Sequence, residues 1–312
     1  MADNLLEVLE NKVLVSMGAT GTNLVPRGLD MGGCIAEWEL DHPREIESLI
    51  REFIDAGSDV IEVGSAPANR FRLQPYGFQD RAAEWNFELA RMWREATPPD
   101  RFLIGSLGVT SKILEPAGEA TFDEIYESYC EQVENLAKGG VEGFWLLTLS
   151  DTREAGAAIQ AVKDCGRLPV IASMVFDSNK RGFYTMMGID PPTAAKDLEA
   201  RGADAVGTNC GGTAFHLENT TRILKAMRSA SSRFLVAKPN AGNPRAAEGK
   251  LGYDITPEEM AAEAVEWVSA GARIVGGCCG TTPEHIAWIA EAVRRPGKLD
   301  RNAPSLTAEP EG

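Results

Sequence analysis

The chain has 312 residues, 44% of them apolar, and a formal net charge of −15. That length holds two average domains or one large α/β barrel, with enough apolar material for a sizeable core. The acidic charge is spread along the chain, which excludes the basic footprint that nucleic-acid phosphates or an anionic membrane surface would require.

The chain start shows no basic segment followed by an apolar one, and no apolar run is long enough to cross a bilayer. Six cysteines at irregular spacing do not resemble a disulfide framework and fit thiol chemistry in a reducing compartment. These features predict a cytoplasmic protein.

Short apolar runs recur along the chain: Val13–Ser16, Val60–Val63, Phe102–Ser106, Phe144–Thr148, Val170–Ser173, Ala205–Thr208, Phe234–Lys238 and Arg273–Gly276. The segments between them carry helical periodicity, as in Ile46, Leu49, Ile50, Phe53, Ile54 and in Ile125, Tyr129, Val133, Leu136. Strands alternating with helices predict a parallel sheet with crossover helices. Eight such units in about 290 residues predict a single-domain (β/α)₈ TIM barrel rather than a doubly wound sheet. Ala56-Gly57, Lys138-Gly139-Gly140, Arg201-Gly202 and Ala270-Gly271 each precede a predicted strand, where a glycine can end the helix. The barrel is expected over residues 1–295, and the Pro-, Glu- and Asn-rich stretch 296–312 is expected to be a disordered tail.

The chemistry concentrates in Val275-Gly276-Gly277-Cys278-Cys279-Gly280-Thr281-Thr282-Pro283-Glu284-His285. Two glycines follow an apolar strand, and Pro283 with Glu284 opens a helix. Adjacent cysteines do not easily bond to each other, but both can reach one metal where glycine lets the backbone bend. Cys210, in Gly207-Thr208-Asn209-Cys210-Gly211-Gly212, has the same setting at the end of the sixth run. In a barrel both groups lie at the C-terminal mouth. Three thiolates with one open position describe a catalytic zinc, because structural zinc sites close all four positions. Such a zinc could hold a substrate thiol as thiolate, or act as a Lewis acid on an ether oxygen. Cys34, Cys130 and Cys165 read as small buried residues.

These two cysteine boxes, with Arg181-Gly182-Phe183-Tyr184-Thr185-Met186-Met187-Gly188 and Pro239-Asn240-Ala241-Gly242, resemble the zinc signature of the homocysteine S-methyltransferase family. Within it they resemble the homocysteine-binding barrel of cobalamin-dependent methionine synthases. The likeness runs over roughly residues 10–295 and implies zinc on Cys210, Cys278 and Cys279. It also implies an activated thiol. Three departures bear on the substrate. Met17 stands where the family usually has an aspartate, Leu147 where it has a glutamate, and Glu62-Val63-Gly64-Ser65-Ala66 where it often reads Glu-Thr-Asn-Thr-Phe. The family's two acids hold the substrate ammonium, and an ammonium facing Met17 and Leu147 would lack a counter-charge. Glu62 or backbone carbonyls are the alternative partners.

Asn240 either offers an oxygen to the open zinc position or caps the turn. Among the histidines, His216 is the one worth testing, while His285 reads as a surface or packing residue; Trp145 and Phe183-Tyr184 read as core, with apolar pocket walls as the alternative. The resulting expectation is a zinc-dependent methyltransferase acting between a small, methoxylated or otherwise apolar methyl donor and a corrinoid carried on a separate protein. The alternative is a stand-alone homocysteine S-methyltransferase that forms methionine.

Overall fold

The structure is a computed structural model that describes residues 4–211, 216–247 and 250–294. The tail expected over 296–312 lies outside the described residues. The strands are β1 (Leu14–Val15), β2 (Val60–Val63), β3 (Phe102–Gly108), β4 (Gly143–Leu149), β5 (Val170–Met174), β6 (Asp177–Asn179), β7 (Gly182–Tyr184), β8 (Ala205–Cys210), β9 (Phe234–Pro239), β10 (Arg245–Ala247), β11 (Lys250–Gly252) and β12 (Ala272–Val275). Eight of them form one parallel sheet in the order β1-β12-β9-β8-β5-β4-β3-β2. A parallel bridge between Ser16 and Val60 joins the two ends of that order, so the sheet closes into a (β/α)₈ barrel. The pairs β6–β7 and β10–β11 are small antiparallel hairpins on the loops after β5 and β9.

The barrel strands coincide with the eight apolar runs to within a few residues. Gly57, Gly140, Gly202 and Gly271 all have φ between +98° and +101°, so the glycines expected to stop the helices do so in the left-handed conformation. The helices Phe122–Lys138 and Pro257–Ser269 start on reciprocal caps, Thr121 with Glu124 and Thr256 with Glu259.

The core has two layers. Inside the barrel, Leu14, Val60, Ile104, Trp145, Ile171, Ala205, Val236 and Ile274 each come from a different strand. Leu5 and Leu9 of the helix Leu5–Asn11 plug this layer from below. Trp145 is core, as expected, and its Nε1–H donates to Ser173 Oγ at 2.7 Å. The larger layer lies between the sheet and the outer helices and includes Phe53, Trp93, Tyr129, Leu136 and Trp267.

One expectation about the cysteines fails. Cys130 and Cys165 form a disulfide with Cα atoms 5.8 Å apart. The helix Phe122–Lys138 packs beside the turn Val162–Gly166 and brings the two together across 35 residues of chain, a proximity that spacing does not reveal. Cys34 is free and buried. Among the described residues, no helix is long and apolar enough to cross a membrane.

Candidate metal centre and substrate cavity

Cys210 ends β8, and Cys278 and Cys279 follow β12, so both cysteine boxes open at the C-terminal mouth of the barrel. The backbone brings them together through three contacts. Cys278 N–H donates to the Pro239 carbonyl at 2.6 Å, and Ala19 N–H donates to the Cys278 carbonyl at 3.3 Å. Ala241 N–H donates to the Cys279 carbonyl at 2.9 Å. The bend after Cys279 requires glycine: Gly280 has φ +78°, and a Cβ there would run into the Tyr253 ring. Cys210 itself has φ +57°, as Thr148 has +63°, and non-glycine residues in this region cluster at functional sites.

The three sulfurs lie within 4.8 Å of one another, and Cys210 Sγ is 3.1 Å from Cys278 Sγ. Sulfurs bound at 2.3 Å to a tetrahedral zinc stand about 3.8 Å apart, so this spacing fits one zinc with small adjustment. The thiols titrate as a set. Hydrogen bonds from Cys210 and then Cys279 hold the Cys278 thiol well below its usual range, with a further pull from Lys238. Cys210 is pushed well above its usual range, first by its hydrogen bonds to Cys278 and Cys279 and then by burial. For Cys279 the hydrogen bond with Cys210 pulls downward, but Cys278 and burial outweigh it and push the thiol up to about 12. Three crowded thiols resist losing all their protons together, and a cation bound to them would offset that repulsion. Two further donors face the sulfurs: Asn209 Nδ2 at 3.9 Å from Cys278 Sγ and Thr148 Oγ1 at 3.7 Å from Cys210 Sγ. Asn209 and Thr148 also bond each other twice, at 2.7 and 2.8 Å.

The sulfurs line a cavity of about 450 Å³. Its walls include Val25, Ile35, Val63, Val109 and Leu147, and its rim carries the exposed Asp30 and Arg72. Glu62 and Lys238 also line it. Lys238 Nζ is 2.8 Å from Glu62 Oε1 and donates to the Met17 carbonyl at 2.5 Å. The pair is an electrostatic contact without hydrogen-bond alignment at Glu62 Oε1. Burial raises the Glu62 carboxyl, and the Lys238 charge offsets part of that rise.

The sequence model of the homocysteine S-methyltransferase family matches residues 14–293. The chain belongs to that family. Methionine synthases of Mycobacterium leprae and Mycobacterium tuberculosis are each 29% identical to it, over 330 and 329 residues. Those alignments cover 98% of this chain and 26% and 27% of the relatives, so the chain spans about a quarter of their length. The metallated homocysteine methyltransferase MmuM of Escherichia coli superposes with a TM-score of 0.75 at 21% identity, covering 91% of this chain and 98% of that one. At that identity the superposition speaks for the fold.

The residues that depart from the family pattern have distinct placements. Leu147, at the end of β4, lines the cavity. Met17 does not: it is fully buried in the core, and its sulfur accepts the Glu62 N–H at 3.2 Å. Its effect on the cavity is the absence of an acid rather than an apolar wall. Asn240 Oδ1 accepts the Cys279 N–H at 3.1 Å, so that oxygen holds the turn, in keeping with the capping alternative. Gly64 leaves room for the carboxyl of Glu39, which a Cβ there would strike. Glu39 is fully buried, and burial pushes it up to about 8 despite the hydrogen bond from Trp93.

His216 is exposed at the start of the helix Leu217–Arg228 and does not line the cavity. His285 is buried, with Nδ1 2.8 Å from Thr282 Oγ1 and Nε2 3.0 Å from the Ile255 carbonyl, a packing role as expected. Lys238, Asn209 and Thr148 were not among the candidates. A lysine inside the apolar run Phe-Leu-Val-Ala-Lys-Pro was the available signal for the first.

Proposed function

We propose that this barrel is a zinc-dependent methyltransferase moving a methyl group between a small apolar or methoxylated substrate and a corrinoid carried on a separate protein. The observation that supports it most directly is the convergence of three thiols on a cavity with largely apolar walls, whose one buried acid already has a cation. Cys210, Cys278 and Cys279 would hold the zinc. Bound there, zinc supplies a Lewis acid that lowers the pKa of a coordinated thiol or polarises an ether oxygen. Leu147, Val63 and Val109 would seat the apolar part of the substrate and keep water from the reacting methyl. Asn209 and Thr148 aim N–H and O–H groups at the sulfurs and hold their orientation.

The second reading is a stand-alone homocysteine S-methyltransferase that forms methionine. Family membership supports it. It requires a partner for the substrate ammonium in a cavity where Glu62 is paired and Leu147 is apolar. A turnover screen of zinc-loaded protein separates the two. Cob(I)alamin or homocysteine serves as acceptor, with methoxyarenes, methylsulfonium and methylammonium compounds as donors. The proposal expects methyl transfer from an uncharged donor to cob(I)alamin. Methionine formation with no transfer to cob(I)alamin would establish the second reading instead.

A further inference from the structure

We infer that Lys238 fixes the charge of the substrate this cavity accepts, by occupying from within the chain the place against Glu62 that a substrate ammonium would otherwise take. The inference rests on the methyl-transfer reading of the Cys210–Cys278–Cys279 site and adds its substrate class: a molecule that is uncharged where it meets the cavity floor.

The placement is specific. Glu62 lies on β2 and Lys238 on β9, and β1 and β12 stand between those strands, so the pair crosses the lumen. Both residues line the cavity, and they are 4% and 2% exposed. The lysine is tethered at three points: the Glu62 carboxylate at 2.8 Å, the Met17 carbonyl at 2.5 Å and the Trp145 ring at 5.7 Å from its centroid. Glu62 is held through its backbone by the Met17 sulfur at 3.2 Å. Met17, which lacks the family's carboxylate, therefore serves as the anchor of the pair.

Among the described lining residues the acids are Glu62 and Asp30, and Asp30 is exposed at the rim. An ammonium carried to the floor would meet the like charge of Lys238 and a carboxylate already neutralised. A buried charge left without its own partner is strongly disfavoured. An uncharged group meets a net-neutral pair and apolar walls, and loses nothing of this kind.

The test compares two thiols that differ by the ammonium group alone, homocysteine and 4-sulfanylbutanoate, titrated calorimetrically into zinc-loaded protein without any methyl donor. The wild type is expected to bind 4-sulfanylbutanoate at least as tightly as homocysteine. Lys238→Met frees Glu62 and is expected to shift the affinity ratio toward homocysteine by about tenfold or more. Glu62→Gln/Lys238→Met leaves no unpaired buried charge, so it tests the idea if the single variant fails to fold. Its ratio should stay within about threefold of wild type, since it replaces a neutral pair by neutral groups. A wild type that prefers homocysteine overturns the inference, and so does a folded Lys238→Met with an unchanged ratio. So does a double variant whose ratio moves about tenfold toward 4-sulfanylbutanoate, because Glu62 would then have been holding the ammonium in the wild type. If neither thiol binds the zinc-loaded wild type, the reading of the metal site falls and takes this inference with it.

Discussion

Along β2, Val60 and Glu62 point to the same side of the strand, and along β9 so do Val236 and Lys238, yet the first of each pair is core and the second is cavity floor. Two residues, about 7 Å of strand, separate an apolar layer from a charged one. The lower lumen, with Leu14, Ile104, Trp145 and Ile171 plugged by Leu5 and Leu9, is filled by apolar side chains, and Trp145 alone among these meets polar groups, Ser173 and the Lys238 ammonium above it. The upper lumen, from the same strands, holds a buried ion pair, strained Thr148 and Cys210, and three crowded thiols. Each of those features costs stability by itself. They persist because the layer beneath and the helix layer outside hold the strands in place. The difference teaches that stability and chemistry are stacked along one tube, and substitutions should separate them.

The largest expected effect is on the upper layer. Cys279→Ala should abolish turnover and leave less than stoichiometric zinc, a greater loss than the roughly 100-fold in metal affinity that removal of an outer hydrogen bond can cause. Its melting temperature without metal should stay near wild type. A variant with full zinc and full activity would break the comparison at its centre.

The mirror experiment is Trp145→Ala. Truncating a fully buried tryptophan should lower stability by about 3–5 kcal/mol, read from urea unfolding. The purified folded fraction should still bind one zinc. If zinc binding disappears while the protein remains folded, the two layers are one unit and the division fails.

Asn209→Ala sharpens the upper layer. It removes the donor facing Cys278 and both bonds to Thr148, and zinc affinity should fall roughly 10–100-fold with the cysteines intact. Competition with a chelator measures this, and an unchanged affinity would confine Asn209 to backbone support.

The smallest effect concerns Glu39, behind the cavity wall. Its carboxyl lies at about 8 in the fold against an ordinary 4.5. Below the ordinary value both states are protonated. Between the two values the unfolded chain releases a proton that the folded chain keeps, so stability falls as pH rises through this window. Glu39→Gln should flatten that slope, gaining stability relative to wild type as pH rises from 5 to 8. Parallel pH profiles for the two proteins would show that Glu39 does not carry the penalty.

The sequence by itself determined what depends on neighbours in the chain. Apolar runs of strand length, the glycines that stop the helices, and two cysteines beside glycine turns are local signals, and from them the barrel, its strands and the three thiols at one mouth could be read. Leu147 was legible through the family resemblance instead, as the residue standing where the family usually has a glutamate. The tertiary structure decided what depends on residues far apart. It turned Met17 into the core, spent the Asn240 oxygen on Cys279, joined Cys130 to Cys165 and set Lys238 against Glu62. None of these has a spacing signature, because each depends on which strands and helices become neighbours when the sheet closes. The cavity's charge preference follows from the last of them: a buried lysine and a buried glutamate are costly apart and compatible together, and the closed barrel brings them together.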